Sequence, residues 1–174
     1  MTMNMSRVGT ENARQQGVAV LPALQVKPSI SVIGLGYVGA VSMACLAHLG
    51  FRMIGVDVSL DKVRAIKAGR SPIVEARLEE LLTAGVDASL IDATQNLVAA
   101  VLDTDVTFMS VGTPTSPNGD CDLTYVRQAS RAIGQAIAMK NSFHVIVLRC
   151  SVPSSFDCAP PITPERGSRA TGSR

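Results

Sequence analysis

The chain has 174 residues, enough for one domain with a sizeable core and too few for two ordinary ones. Apolar residues make up 47% and charged residues 17%, at a formal net charge of +2, which gives no electrostatic case for nucleic acid or an anionic membrane as partner. No apolar run approaches the roughly 18 residues a membrane helix needs, and Cys45, Cys121, Cys150 and Cys158 stand at no metal-ligand spacing with His48 and His144, so the expectation is a cytoplasmic α/β protein with free thiols and no metal.

Residues 1–28 are polar and patternless, and read as a disordered N-terminal extension. From Ser29 the pattern changes. Ser29–Ile33 reads as a short buried strand, and Val38–Leu49 carries small and apolar residues at helical spacing, including Cys45 on the expected core face, up to a stop at Gly50. Arg52–Val56 reads as a second strand closed by Asp57, and Ser59 as the cap of a helix running to Gly69. Helical turns follow at Leu78–Ala84 and Gln95–Leu102, then a third strand at Val106–Val111, an amphipathic helix at Leu123–Met139 and a strand at His144–Leu148. Such alternation predicts a Rossmann-type doubly wound parallel sheet over residues 29–153, apparently truncated in its last strands. Residues 154–174 are rich in Pro, Ser, Gly and Arg and are expected to be disordered or a frameshifted tail.

The most informative motif is Gly34-Leu35-Gly36-Tyr37-Val38-Gly39, which follows a strand and opens a helix. In a dinucleotide fingerprint Gly34 makes the tight turn, Gly36 lets backbone approach a pyrophosphate, and Gly39 lets helix and strand pack closely. The helix N-terminus then offers N–H groups and partial positive charge to the phosphates. A plain glycine turn is the competing reading. Asp57 lies 23 positions after Gly34, near the spacing of a ribose-binding carboxylate, which favours NAD over NADP; alternatively it opens the next helix. Lys62 lies one turn further on and reads by spacing as a solvated face residue. Gly112-Thr113-Pro114 and Ser151 fall at the carboxyl ends of strands, where ligands sit in such sheets, although an ordinary turn explains the first equally well. Asp120 and Asp122 read as loop and cap residues rather than a catalytic pair. Cys150 has no base beside it in sequence and reads as a small hydrophobe.

Taken together, Ser31–Gly39, Gly55-Val56-Asp57, Gly69–Glu75, Val111–Pro114, Asn118–Asp120 and Asp122-Leu123 resemble the UDP-glucose/GDP-mannose dehydrogenase family, most nearly its GDP-mannose-oxidising, alginate-pathway branch. The resemblance covers about residues 29–153. It implies two successive NAD-dependent oxidations of a sugar C6 alcohol to the carboxylate in a homodimeric full-length protein, with polysaccharide biosynthesis as the setting. It further implies backbone contacts of Tyr37 and Val38 to the pyrophosphate, Asp57 on the ribose, Lys62 on the adenosine side, and Thr113 and Ser151 on the nicotinamide side. This chain has Cys150-Ser151-Val152 where the family has Ser-Thr-Val, and Ala76-Arg77 where it has Pro-Gly. After Pro153 the family continues with a catalytic Glu, a Lys on a long central helix and a Gly-Ser-Cys loop bearing the thiol nucleophile, and no matching residues follow here, so no catalytic residue is assigned. A nucleotide-sugar partner is expected only with that second half. Competing readings are a hydroxyacid or phosphogluconate dehydrogenase, a non-catalytic NAD-binding module, and a fragment that does not fold stably.

Overall fold

A computed structural model describes residues 27–116 and 119–152; the expected disorder of the two ends falls outside these residues, apart from the last two of the N-terminal stretch. Ten elements alternate along the chain: β1 (Ile30–Ile33), α1 (Tyr37–His48), β2 (Met53–Val56), α2 (Leu60–Lys67), α3 (Leu78–Asp87), β3 (Ile91–Thr94), α4 (Leu97–Leu102), β4 (Val106–Met109), α5 (Thr124–Ala138) and β5 (Val145–Leu148). The strands form one sheet in the order β3-β2-β1-β4-β5, with every pairing parallel. The expected doubly wound Rossmann-type sheet is therefore the fold.

Two layers of helix cover the sheet. Ile30 and Val32 of β1 pack into a core with Ala40, Met43 and Ala44 of α1, Val63 and Ile66 of α2, and Leu78 and Leu82 of α3. Ile33, on the alternate face, joins Ala100 and Val101 of α4, Met109, and Val126, Ala129 and Ile133 of α5 in a second core. Both faces of β1 and β2 are thus covered, which is why both strands are buried throughout.

Several boundaries differ from the sequence reading. β3 falls between Ala84 and Gln95, where the sequence reading placed no element. It is a four-residue edge strand carrying Asp92, with buried and exposed positions alternating, too short for its period to stand out. The strand at Val106 is therefore the fourth, and it ends at Met109. Ser59 occupies the N-cap position of α2 without a side-chain cap bond; its own N–H is instead accepted by Asp57 Oδ1 at 2.9 Å. Cys45 is exposed, because the buried face of α1 runs through Gly39, Ala40, Met43, Ala44 and Ala47 and position 45 turns about 100° away from it. Arg77 sits at φ 63°, left-handed, at the start of α3, and a side chain in that conformation costs about 1 kcal/mol.

The five strands also end in step. Ile33 is in register with Val56 and Met109, Val56 with Thr94, and Met109 with Leu148. The next residues, Gly34, Asp57, Gln95, Ser110 and Arg149, consequently form a row along the carboxyl edge. Hydrogen bonds lock that row: Gly34 N to Val56 O at 2.7 Å, Ser110 N to Ile33 O at 2.8 Å and Arg149 N to Met109 O at 2.9 Å.

The amino edge holds a buried polar chain. Thr107 Oγ1 lies 2.7 Å from Ser31 Oγ and 2.9 Å from His144 Nε2, while Thr104 Oγ1 donates to Ala100 O. Lys140 Nζ donates to Val101 O and to Thr104 O and lies 2.9 Å from His144 Nδ1. Burial first, then the Lys140 charge, holds the His144 pKa below the ordinary 6.5, against opposing effects of the Thr104 backbone and Asp105. The unfolded chain then takes up that proton more readily, so stability is full above about pH 6.5 and falls as the pH drops below it. Urea midpoints at about pH 8 and about pH 5.5 should show this drop, and His144→Gln should remove it. An equal drop in the variant would deny His144 the role. Asp105, held low by its bonds from Ser29, loses its contribution only below 3.8, outside that window.

Candidate functional site

The chain runs from β1 through β2 to the β3 edge, then crosses back to add β4 and β5 on the other side of β1. The crevice at this switch point, at the carboxyl ends, is where ligands bind in open α/β sheets. Gly34 turns there with φ +96°, and a Cβ on it would lie 2.7 Å from the Ser110 carbonyl oxygen. A Cβ on Gly39 would lie 1.9 Å from the Gly34 carbonyl oxygen. Gly36 is the opposite case, with nothing within 4 Å of its Cβ position, so its open face is an approach lane to the backbone. Helix α1 begins immediately after it, without a side-chain cap bond and without an acidic residue in its first turn. Its first N–H groups, those of Tyr37, Val38 and Gly39, have no intrahelical acceptor, as at any helix start. The arrangement suits an anionic pyrophosphate.

Asp57 is buried at the end of β2. Its Oδ2 accepts from Leu35 N at 2.8 Å and lies 3.3 Å from Lys62 Nζ, and its Oδ1 accepts from Ser59 N at 2.9 Å. A carboxylate offers about four lone-pair sites, so one remains on Oδ1 for a ligand hydroxyl. The same side chain thereby fixes the glycine turn through Leu35. Lys62, read from spacing as a solvated face residue, is drawn into this site with 38% of its side chain exposed.

A cavity of about 430 Å³ opens beside these groups, lined by Gly34, Asp57, Lys62 and Gly112 together with Val58, Gln95, Tyr125 and Gln128 among others. Gln95 and the α5 residues Tyr125, Gln128, Ala129 and Ala132 were not singled out by the sequence. The signal available was spacing, since 125, 128 and 132 recur one helical turn apart on the flank of the buried Val126–Ile133 stripe. Gln95 Nε2 donates to Val58 O at 2.7 Å and so holds the loop after Asp57.

Thr113 and Ser151 do not line this cavity. They meet instead through Cys121, whose Sγ lies 4.0 Å from Thr113 O and 3.8 Å from Ser151 O, so the loops after β4 and β5 are tied together. Thr115 pairs with Cys121 in an antiparallel bridge, consistent with Asp120 and Asp122 being loop and cap residues; Asp122 Oδ1 accepts from Thr124 N at 2.9 Å. Pro117 and Asn118 lie outside the described residues. The Ser110 hydroxyl is buried with no hydrogen-bond partner among the described residues, beside the Gly34 turn. No helix among the described residues is long and apolar enough to cross a membrane, and no cluster of three metal-ligating side chains occurs among them.

Comparison with known proteins agrees with this geometry. The UDP-glucose/GDP-mannose dehydrogenase family, NAD binding domain, matches residues 28–158. GDP-mannose 6-dehydrogenase of Pseudomonas aeruginosa is 49% identical over 123 residues, 71% of this chain and 28% of its own length. UDP-glucose 6-dehydrogenase TuaD of Bacillus subtilis is 38% identical over 71% of this chain and 26% of its own. Among solved structures, a ternary complex of the Pseudomonas aeruginosa GDP-mannose dehydrogenase superposes with a TM-score of 0.70 over 71% of this chain and 28% of that one. A UDP-glucose dehydrogenase from Pyrobaculum islandicum, 40% identical, superposes at 0.73 over 78% of this chain and 32% of that one. The chain spans less than a third of the length of these relatives. It belongs to the UDP-glucose/GDP-mannose dehydrogenase family, as that family's NAD-binding domain.

Proposed function

We propose that residues 29–153 are the NAD-binding half of a nucleotide-sugar 6-dehydrogenase, oxidising GDP-mannose or UDP-glucose to the uronate in a full-length homodimer. The observation that carries this reading is the coupling of Asp57 to the glycine turn: one buried carboxylate fixes Leu35 at 2.8 Å and keeps an acceptor site for a ribose hydroxyl. Tyr37 and Val38 present backbone N–H groups to the pyrophosphate, Lys62 lies on the adenosine side of the cleft, and Thr113 and Ser151 form the nicotinamide side. An anionic group at position 57 disfavours a 2′-phosphate, which supports NAD over NADP. Bound NAD supplies a hydride acceptor; the residues here hold and orient it, and the alcohol and thiol chemistry falls to residues outside this stretch. The thiols support that division. Among the described residues, Cys45 is on the outer side of α1, Cys121 faces two backbone carbonyls, and Cys150 packs against the second core; Cys158 lies outside them. Free thiols also support a reducing, cytoplasmic setting.

Calorimetry and an NADH assay on the 174-residue chain test this. The expected result is NAD binding with no steady NADH production from GDP-mannose or UDP-glucose. Absence of NAD binding overturns the cofactor assignment, and sustained turnover overturns the division of labour.

A further inference from the structure

The segment between α2 and α3 reaches back to the start of α1. Tyr37 Oη donates to Glu75 Oε2 at 2.7 Å, joining residues 38 apart in sequence. Tyr37 is 59% exposed and follows Gly36, whose face is open. The segment is anchored on its N-terminal side: Ile73 packs against the first core, and Ser71 N points to Glu79 Oε2 at 3.4 Å. Just after Ile73, Val74 stands fully in solvent, so burial does not fix this part of the chain and Glu75 ties it to α1 instead. A solvent-exposed hydrogen bond of this kind adds little to global stability. Its effect is local, because it holds a large aromatic ring and a chain segment still beside the lane to Gly36.

We propose that Glu75 is a positioning residue for the dinucleotide: by accepting the Tyr37 hydroxyl it pins residues 71–77 to the first turn of α1 and fixes one wall of the pyrophosphate approach. The inference rests on the cofactor reading of the cleft. A ring already fixed in place loses no rotamer freedom when ligand arrives, and it is kept from folding across Gly36. The carboxylate charge acts in the other direction, since it lies near the position of an anionic pyrophosphate. Hydrogen bond and charge therefore predict opposite signs and can be separated. The bond also marks the phenol: Glu75, through its hydrogen bond and then its charge, raises the Tyr37 pKa above the ordinary 10.0.

The test uses the full chain, NAD itself and calorimetry. Glu75→Ala should weaken NAD by about three- to tenfold. Glu75→Gln, which keeps an acceptor and removes the charge, should bind as tightly as the parent or more tightly. Tyr37→Phe, which loses the bond and keeps the charge, should bind at least as weakly as Glu75→Ala, and the double variant should be no weaker than either single one. The chain has two tyrosines and no tryptophan, so in a Tyr125→Phe background the ultraviolet titration reports Tyr37 alone. That phenol should titrate above the ordinary range and return to it in Glu75→Ala. Unchanged NAD affinity in Glu75→Ala and Tyr37→Phe, with the parent binding well, overturns this inference and leaves the cofactor reading standing. A Glu75→Gln as weak as Glu75→Ala also overturns it, by denying the bond its role. If Glu75→Ala fails to fold, Tyr37→Phe, which removes one exposed hydroxyl, decides. A parent chain that binds no NAD removes the cofactor reading and this inference with it.

Discussion

Gly39→Ala is expected to destabilise the fold by about 3 kcal/mol or more, against the usual gain of up to about 1 kcal/mol for Gly to Ala inside a helix. The new methyl would stand 1.9 Å from the Gly34 carbonyl oxygen, and both partners are backbone, so relief requires α1 to move off β1. Gly36→Ala is the matched control. Its Cβ meets nothing within 4 Å and the residue has an ordinary φ of −79°, so the folded state should lose no more than the N-cap preference for Gly over Ala, up to about 1 kcal/mol. The same methyl intrudes on the approach to the α1 N-terminus, and NAD affinity should fall by about tenfold or more. Thermal melts and calorimetry on the pair separate the two jobs of the turn. A Gly39→Ala chain as stable as the parent would refute the packing account, and a Gly36→Ala chain with parental NAD affinity would refute the binding account.

Asp57→Ala should cost about 2–4 kcal/mol of stability and remove measurable NAD binding together. The loss strands three donors at once: the Leu35 N–H inside the glycine turn, the Ser59 N–H at the start of α2 and the Lys62 ammonium. Leu35 is fully buried, so water cannot replace its acceptor without opening the turn. Asp57→Asn keeps one acceptor oxygen and loses the charge. It should recover part of the stability and shift cofactor preference towards NADP, because the repulsion of a 2′-phosphate is gone. Urea titration and parallel calorimetry with the two dinucleotides check both effects. Parental stability in Asp57→Ala would show that the carboxylate is not the keystone of this turn.

The legible parts of the fold were those with local signals. The strand–glycine–helix unit at Ile33–Gly39 announces itself by turn chemistry, and α5 by a clean amphipathic period with Val126, Ala129, Ile133 and Ala136 buried. β3 was hidden because an edge strand of four residues with one wet face and an Asp carries almost no period. Cys45 departs from the expected core face because α1 also has apolar residues beyond its buried face, Val38 among them, so composition does not tell which side packs. In the site, the spacing of Asp57 from Gly34 pointed to the cleft, but its bond to Leu35 depends on β1 and β2 being adjacent and in register. The α5 wall of the cavity and the Tyr37–Glu75 tie join residues far apart in sequence. Neither follows from any local pattern; both appear only once the crossovers have brought the elements together.

The strand order also sets a timetable for synthesis. Every fully buried member of the first core lies between Ile30 and Ala93, so that face of the sheet can consolidate before the ribosome has made β4. The second core takes Ile33, Ile54 and Val56 from that early half and waits for Ala100 through Ala136 to cover them. Until Val106–Met109 arrives, the central strand of the finished sheet is an edge strand, with one side of its backbone unpaired and an apolar face in water. The nascent chain is therefore expected to pass through a half-sandwich whose unpaired border is the one that later frames the crevice, most exposed to misassociation before Val106–Met109 is translated.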